Sequence, residues 1–220
     1  RNFVANLNPP RPTIREAQIN LVKSYWQAPA AAIGKPIWGF KEVLYDAQMA
    51  LTLKDLFPTA KIIYITRHPF KCFTSLLHEE RLKPGETYVP LKEIWTRNRT
   101  IEALNHWVRI NRSFLETPGL DGDWLYQMTC EQLVADIPGK THDLIAWLGL
   151  QPDDFDYSLF DYKIYTDRHS NEDDRPTLTW ADLSAEEYTL LTSDDVLSVT
   201  QRLGYAMPAP RHKPSTPGMY

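Results

Sequence analysis

The spacing of apolar residues along the chain indicates a series of helices. Ile94, Ile101, Leu104, Val108 and Leu115 recur at helical intervals and predict one long amphipathic helix. Further helices are predicted over residues 13–27, 47–56, 70–80, 136–148 and 184–203. The last of these is expected in one or two pieces.

Three short apolar runs lack that interval and predict β-strands over residues 37–44, 61–66 and 124–128. The second run, Ile-Ile-Tyr-Ile-Thr after Lys61, is continuous and rich in β-branched residues, as in a strand buried on both faces. Because strands alternate with helices, we expect an α/β fold with a parallel sheet and helices on both faces. Ligands of such sheets bind beyond the carboxyl ends of the strands.

The composition is that of a globular protein rather than a disordered one. Of the 220 residues, 43% are hydrophobic and 24% are charged, values close to those of ordinary globular domains. We therefore predict a single domain over residues 1–205, followed by a proline-rich basic tail over residues 206–220. A formal net charge of −4 argues against nucleic acid as the main partner. No apolar run is long enough to cross a membrane.

Cysteine and histidine usage gives no support for a disulfide framework or a metal site. Cys72 and Cys130 are far apart, and neither belongs to a Cys-x-x-Cys pair. The six histidines show no His-x-x-x-His spacing, so we expect no metal. A signal-peptide pattern is not visible either, and a cytoplasmic location is expected.

The strongest candidate for chemistry is the segment that follows the strand over residues 61–66. Arg67 comes directly after the strand, Pro69 stands where a helix begins, and Ser75 lies about two turns into that helix. A guanidinium and a hydroxyl on facing sides suit a dianionic phosphate. An arginine at a sheet edge and a serine in ordinary packing would give the same pattern. The residues alone leave both interpretations open.

The stretch from Phe57 to Ser75 also resembles a known family. Its sequence Phe-Pro-Thr-Ala-Lys-Ile-Ile-Tyr-Ile-Thr-Arg-His-Pro, with Ser75 eight residues after Arg67, is similar to the 3′-phosphate-binding segment of sulfotransferases. His68 stands where many members have asparagine. The resemblance implies the nucleotide-kinase-like fold of that family, with its phosphate-binding loop.

Two later segments extend the resemblance. Thr129–Asp136 and the helix after it are similar to a strand end, turn and helix of the family, which we interpret as scaffold. Leu183–Tyr205 resembles the closing helix of some members. Together with the earlier motif, the resemblance covers residues 37–205.

The resemblance implies transfer of a sulfuryl group from 3′-phosphoadenosine 5′-phosphosulfate to a hydroxyl or amine acceptor, whose class stays open. Arg67 and Ser75 would hold the 3′-phosphate of this donor. Lys41 matches a lysine that the family commonly has near its acceptor-activating residue, and it would stabilise charge on the sulfonate. Glu42 is a candidate base, with a plain ion pair as the alternative. Ser170 resembles a serine that contacts the donor, with a solvated loop as the alternative.

One part of the family pattern is absent from the chain. Sulfotransferases begin with a strand, a loop rich in Gly, Ser and Thr that binds the 5′-phosphosulfate, and a helix. Gly34-Lys35-Pro36 lacks that spacing. We therefore expect that the N-terminal part of the parent protein is missing, and activity of the chain alone is not assured. Two alternatives stay open: a non-catalytic relative that acts as a binding module, and a nucleotide-dependent kinase of related fold, which would need a Gly-x-x-x-x-Gly-Lys-Ser/Thr loop.

Overall fold

The computed structural model describes residues 11–74, 97–161, 179–180, 183 and 185–207. Helices make up most of this part of the chain, and none of them is long and apolar enough to cross a bilayer. They are α1 (Arg11–Val22), α2 (Ala28–Ala32), α3 (Ala47–Leu56), α4 (residues 69–74), α5 (Arg97–Glu116), α6 (Cys130–Ala135), α7 (Ile137–Leu148), α8 (Ala185–Leu191) and α9 (Asp194–Arg202). Short 3₁₀ turns cover Pro152–Asp154 and Tyr157–Asp161.

Two strands, β1 (Ile62–Thr66) and β2 (Leu125–Thr129), pair in a short parallel sheet. At its start, the Ile62 N–H donates to the Trp124 carbonyl at 2.8 Å. Parallel neighbours need a connection of a dozen or more residues, and α4 and α5 lie in this one. The predictions of these two strands and of an α/β fold are confirmed.

The ends of α3 and α7 follow from local capping chemistry. The Asp46 carboxylate accepts the Met49 N–H at 3.1 Å, and the Asp136 carboxylate accepts the Gly139 N–H at 3.0 Å. An acidic N-cap satisfies one of the N–H groups that a helix leaves unpaired at its start. Gly149 ends α7 with a φ of +81°, a conformation that glycine adopts without strain. Both helices lie where the sequence predicts them.

The strand predicted over residues 37–44 is wrong, because these residues are irregular. A strand needs a neighbour for its backbone N–H and C=O groups, and the two strands of the described chain pair with each other. The rings of the run pack locally instead. Trp38 meets Phe57 edge-on at 6.1 Å between centroids, and Phe40 stacks on Trp26 at 4.7 Å.

The first helical region is longer than predicted, since helical turns continue from α1 to the end of α2 rather than stopping at residue 27. A π-helical turn, Lys23–Gln27, joins the two helices. It ends two residues before Pro29 of α2, whose missing N–H interrupts the helical hydrogen bonds. The alanine-rich sequence of α2 favours helix in spite of this proline.

β1 alternates in burial instead of being buried on both faces as predicted. Tyr64 and Thr66 are 8% and 7% exposed, whereas Ile63 and Ile65 are 39% and 44% exposed. Successive side chains of a strand point to opposite faces, so one face of β1 is buried and the other is open. The prediction of burial on both faces is wrong for this structure.

The chain divides into two compact units, Arg1–Tyr64 with Glu116–Gln127, and Ile65–Leu115 with Met128–Tyr220. In the first unit, α3 buries Ala47 and Ala50, and a salt bridge between Arg15 and Asp55 joins α1 to α3. The single domain over residues 1–205 stays a prediction.

The second unit has a hydrophobic core built mainly from four helices. It contains Phe70 and Phe73 of α4, Leu104, Trp107 and Val108 of α5, Leu183, Leu191 of α8, and Val196 and Val199 of α9. Because α4 contributes two phenylalanines to this core, the helix that begins just after Arg67 is firmly anchored.

Candidate functional site

The turn between β1 and α4 consists of Arg67 and His68. Pro69 starts α4, where its missing N–H costs nothing. The Phe70 N–H, which has no partner within the helix, donates to His68 Nδ1 at 3.1 Å, so the histidine ring caps α4. Because Nδ1 accepts, the proton of the neutral ring is on Nε2, which donates to the Ala206 carbonyl at 3.1 Å.

Arg67 has a fixed backbone and an exposed side chain. Its carbonyl accepts a hydrogen bond from Trp107 Nε1 at 3.0 Å. Its guanidinium forms no hydrogen bond or salt bridge with any residue that the structure describes. An arginine that is held by its backbone and free at its guanidinium is suited to bind an anion from solution.

A buried chain of hydrogen bonds fixes the end of β1 to α5. Thr66 Oγ1 donates to Asn111 Oδ1 at 2.6 Å, and Asn111 Nδ2 donates to the Trp107 carbonyl at 2.6 Å. Both Thr66 and Asn111 are buried, and buried polar groups that are fully paired hold one geometry. Together with the bond from Trp107 to the Arg67 carbonyl, this chain sets where the residue after the strand lies.

The two cysteines lie within the electrostatic reach of Arg67. Burial raises the pKa of the Cys72 thiol to about 11, although the Arg67 cation opposes this effect. Burial also raises the pKa of Cys130 at the start of α6, again opposed by Arg67. Both thiols are therefore protonated near neutral pH, and neither is an activated nucleophile.

A carboxylate beyond the end of β2 contacts the same turn. Thr129 and Gln132 form a capping box at the start of α6, with hydrogen bonds of 2.9 and 3.0 Å, and this places Glu131 in the first helical turn. Glu131 Oε1 accepts the His68 N–H at 3.1 Å. Its other oxygen, Oε2, accepts the Tyr205 hydroxyl at 3.1 Å.

Tyr205 reaches this carboxylate because the chain reverses at Gly204. The φ of Gly204 is +79°, which glycine adopts more readily than other residues. The Tyr205 ring then lies edge-on to His68, at 5.2 Å between centroids. Burial, followed by the negative charge of Glu131, raises the pKa of Tyr205. The hydroxyl is therefore a proton donor throughout the physiological range.

The structure places Arg67 where the sequence predicts it, at the carboxyl end of β1. Ser75 and Ser170 lie outside the described residues, and their contacts with the donor stay predictions. Among the residues that are described, no group of three His, Cys, Asp and Glu side chains could hold a metal ion.

Lys41 and Glu42 belong to the first unit and lie on an irregular, exposed segment. Lys41 does not end a strand, since the strand expected there is absent. Glu42 Oε1 accepts the N–H groups of Val43 and Leu44 at 2.7 and 3.0 Å, so its carboxylate stabilises its own turn. Within the described residues, no salt bridge joins Glu42 to Lys41. Their catalytic roles stay predictions.

Comparison with known proteins shows a match to one protein family. A family model described as "Sulfotransferase family" matches residues 15–154, which is more than half of the chain. The chain belongs to the sulfotransferase family. No curated protein and no solved structure gives a significant match.

Membership of the sulfotransferase family fixes the fold as the P-loop-like α/β fold of that family, and the chemistry of the family is transfer of sulfuryl groups. The matched range includes Lys41, Glu42, Arg67 and Ser75 and leaves out Ser170. It begins at residue 15, whereas the sequence motifs predict the resemblance only from residue 37. Residues 15–36 therefore also belong to the family pattern.

This sulfotransferase-family site includes two residues that sequence reasoning missed. Glu131 lies in the segment interpreted as scaffold, and Tyr205 lies at the end of the closing helical segment. A signal was available for Glu131, because the carboxyl ends of neighbouring parallel strands meet at one edge of a sheet. No comparable signal exists for Tyr205, whose position depends on the reversal at Gly204.

Proposed function

We propose that this sulfotransferase-family member transfers a sulfuryl group from 3′-phosphoadenosine 5′-phosphosulfate to a hydroxyl or amine acceptor, and that Arg67 binds the 3′-phosphate of the donor. The observation that carries the proposal is the exposed Arg67 guanidinium, which has no partner among the described residues while Trp107 holds its carbonyl. A guanidinium binds phosphate through two parallel N–H···O bonds. Ser75 would add a hydroxyl donor to the same phosphate.

The reaction needs positioning and charge stabilisation more than covalent help from the protein. The acceptor oxygen or nitrogen attacks sulfur in line, the S–O bond to adenosine 3′,5′-bisphosphate breaks, and a base takes the acceptor's proton. Arg67 contributes by holding the donor through a phosphate that does not react. Lys41 would stabilise negative charge on the sulfonate, Glu42 is the candidate base, and Ser170 a further donor contact.

Nucleotide selectivity tests the class of donor. We expect adenosine 3′,5′-bisphosphate to bind at least about tenfold more tightly than adenosine 5′-monophosphate, because only the first offers a 3′-phosphate to Arg67. Isothermal titration calorimetry with the two nucleotides and with ATP measures this ratio. Tighter binding of ATP than of the bisphosphate would support the related kinase instead. Failure of all three to bind would contradict the proposal and favour a non-catalytic relative.

Lys41 is expected to affect turnover more than donor affinity. Its ammonium is exposed and has no salt-bridge partner among the described residues, so it is available to negative charge that grows as the S–O bond breaks. Lys41→Met keeps most of the apolar stem and should lower kcat by at least about tenfold, with donor affinity nearly unchanged.

The measurement is the release of adenosine 3′,5′-bisphosphate from the donor in the presence of a panel of hydroxyl and amine acceptors, with donor affinity measured separately. Lys35→Met is the matched control, because Lys35 is an exposed lysine on the same irregular segment. Unchanged turnover in Lys41→Met would exclude Lys41 from the reaction. A loss of donor affinity with normal kcat would make it a binding residue.

A further inference from the structure

The Glu131 carboxylate contacts the backbone of His68, the residue that follows Arg67, whose guanidinium is the proposed phosphate ligand. Its Oε1 lies 3.1 Å from the backbone nitrogen of His68, the residue next to Arg67. Glu131 and Arg67 also act electrostatically on the same two thiols, those of Cys72 and Cys130. Opposite charges on flexible side chains that act on the same neighbours can form a salt bridge.

Arg67 and Glu131 nevertheless form no salt bridge in the structure. Both oxygens of Glu131 already accept hydrogen bonds: Oε1 from the His68 N–H and Oε2 from the Tyr205 hydroxyl. The His68 N–H is part of the backbone, so its position is fixed by the turn. The Tyr205 hydroxyl belongs to a side chain, and the reversal at Gly204 and the ring contact with His68 hold it in place.

We infer that Tyr205 is a positioning residue for Arg67: its hydrogen bond to Glu131 Oε2 holds this carboxylate in the orientation in which it forms no salt bridge with Arg67, and the guanidinium is thereby left for the donor's 3′-phosphate. The inference rests on the proposed function of Arg67. It assigns a role in donor binding to the C-terminal end of the described chain, 138 residues from Arg67 in sequence. The same hydroxyl stays a donor at neutral pH, because burial and the Glu131 anion both favour its protonated form.

Two further hydrogen bonds connect the residue after Tyr205 to the turn between β1 and α4. The Ala206 carbonyl accepts the His68 Nε2 proton at 3.1 Å, and His68 Nδ1 caps α4 through the Phe70 N–H. A change confined to the Tyr205 hydroxyl leaves both of these bonds in place. Tyr205→Phe therefore removes the hydrogen bond to Glu131 Oε2, together with the hydroxyl's hydrogen bond to the Thr66 side chain, and keeps the aromatic ring.

A double-mutant cycle with adenosine 3′,5′-bisphosphate as the probe tests the inference. Tyr205→Phe should weaken binding of this nucleotide about fivefold, since a partly exposed arginine–carboxylate pair competes with the phosphate. In a Glu131→Gln background, Tyr205→Phe should change affinity less than about twofold, because the neutral amide does not capture Arg67. Tyr157→Phe, at a half-buried tyrosine of the same unit, and Glu102→Gln, at an exposed glutamate on α5, are the matched controls.

The double-mutant cycle separates a positioning role of Tyr205 from a purely structural one. If Tyr205 only supports the fold, the loss caused by Tyr205→Phe persists in the Glu131→Gln background, and the inference is overturned. If Tyr205→Phe does not fold, Glu131→Gln alone decides: we expect affinity equal to or above that of the unchanged chain, and a loss overturns the inference. Failure of the proposed function looks different, since Arg67→Ala then leaves the preference for the bisphosphate over adenosine 5′-monophosphate unchanged.

Discussion

Arg67→Ala should weaken binding of adenosine 3′,5′-bisphosphate by about 2–4 kcal/mol, which is about 30- to 1000-fold. Binding of adenosine 5′-monophosphate should change little, because that nucleotide has no 3′-phosphate. The expected loss is large because the guanidinium is free of other partners among the described residues, so its interaction energy is available to the ligand. Removing it also leaves one phosphate charge without its bidentate donor.

Isothermal titration calorimetry of both nucleotides measures the effect. Arg67→Lys should give an intermediate loss, since an ammonium keeps the charge without the planar fork. Ser75→Ala should act in the same direction with a smaller loss of about 1–2 kcal/mol, as expected for a neutral hydroxyl donor. Arg11→Ala, at an exposed arginine of α1, is the matched control. Equal losses for the two nucleotides in Arg67→Ala would remove Arg67 from the 3′-phosphate site.

The second large effect is on stability. Leu191→Ala should lower the free energy of unfolding by about 2–5 kcal/mol, because it removes buried methyl groups and leaves a cavity that the surroundings fill only in part. Leu191 is 0% exposed and lies in the core that also holds Phe70 and Phe73 of α4. Urea denaturation followed by circular dichroism measures the change, with the slope of the transition expected to stay constant.

The control for this substitution is Leu159→Ala, at a leucine of the same unit that is 56% exposed. It should change the unfolding free energy by less than about 0.5 kcal/mol. The nucleotide preference of the folded Leu191→Ala fraction should be unchanged, since Leu191 supports α4 from within the core and does not reach the Arg67 guanidinium. A loss below about 1 kcal/mol would show that the core around Leu191 is not closely packed.

Elements defined by local chemistry could be predicted from the sequence. β1 is a continuous β-branched run, α3 begins after an aspartate, and α7 lies between Asp136 and Gly149. In each case, the residues that decide the ends of the element lie within or beside it. Arg67 could be found for the same reason, because its position in the sequence, between the end of one strand and the start of one helix, is marked by neighbouring residues.

Elements that depend on distant partners could not be predicted in the same way. Residues 37–44 have the composition of a strand but lack a neighbouring strand in the described chain, and nothing local to the run shows this. The residues that contact the turn after Arg67 could not be predicted either, because they are distant in sequence. Glu131 is 63 residues from His68, and Ala206 is 138 residues from it. Such contacts depend on how helices and strands pack, which a single sequence does not encode locally.

The histidine cap of α4 has a consequence for how related chains can be recognised. The position before Pro69 requires a group that accepts a hydrogen bond from Phe70, and asparagine, aspartate, serine and threonine are the usual residues that supply one. His68 supplies it through Nδ1. A search pattern that demands asparagine here would reject this chain, whereas a pattern that demands an acceptor would retain it. For a motif defined by hydrogen-bonding group, asparagine and neutral histidine are equivalent at this position.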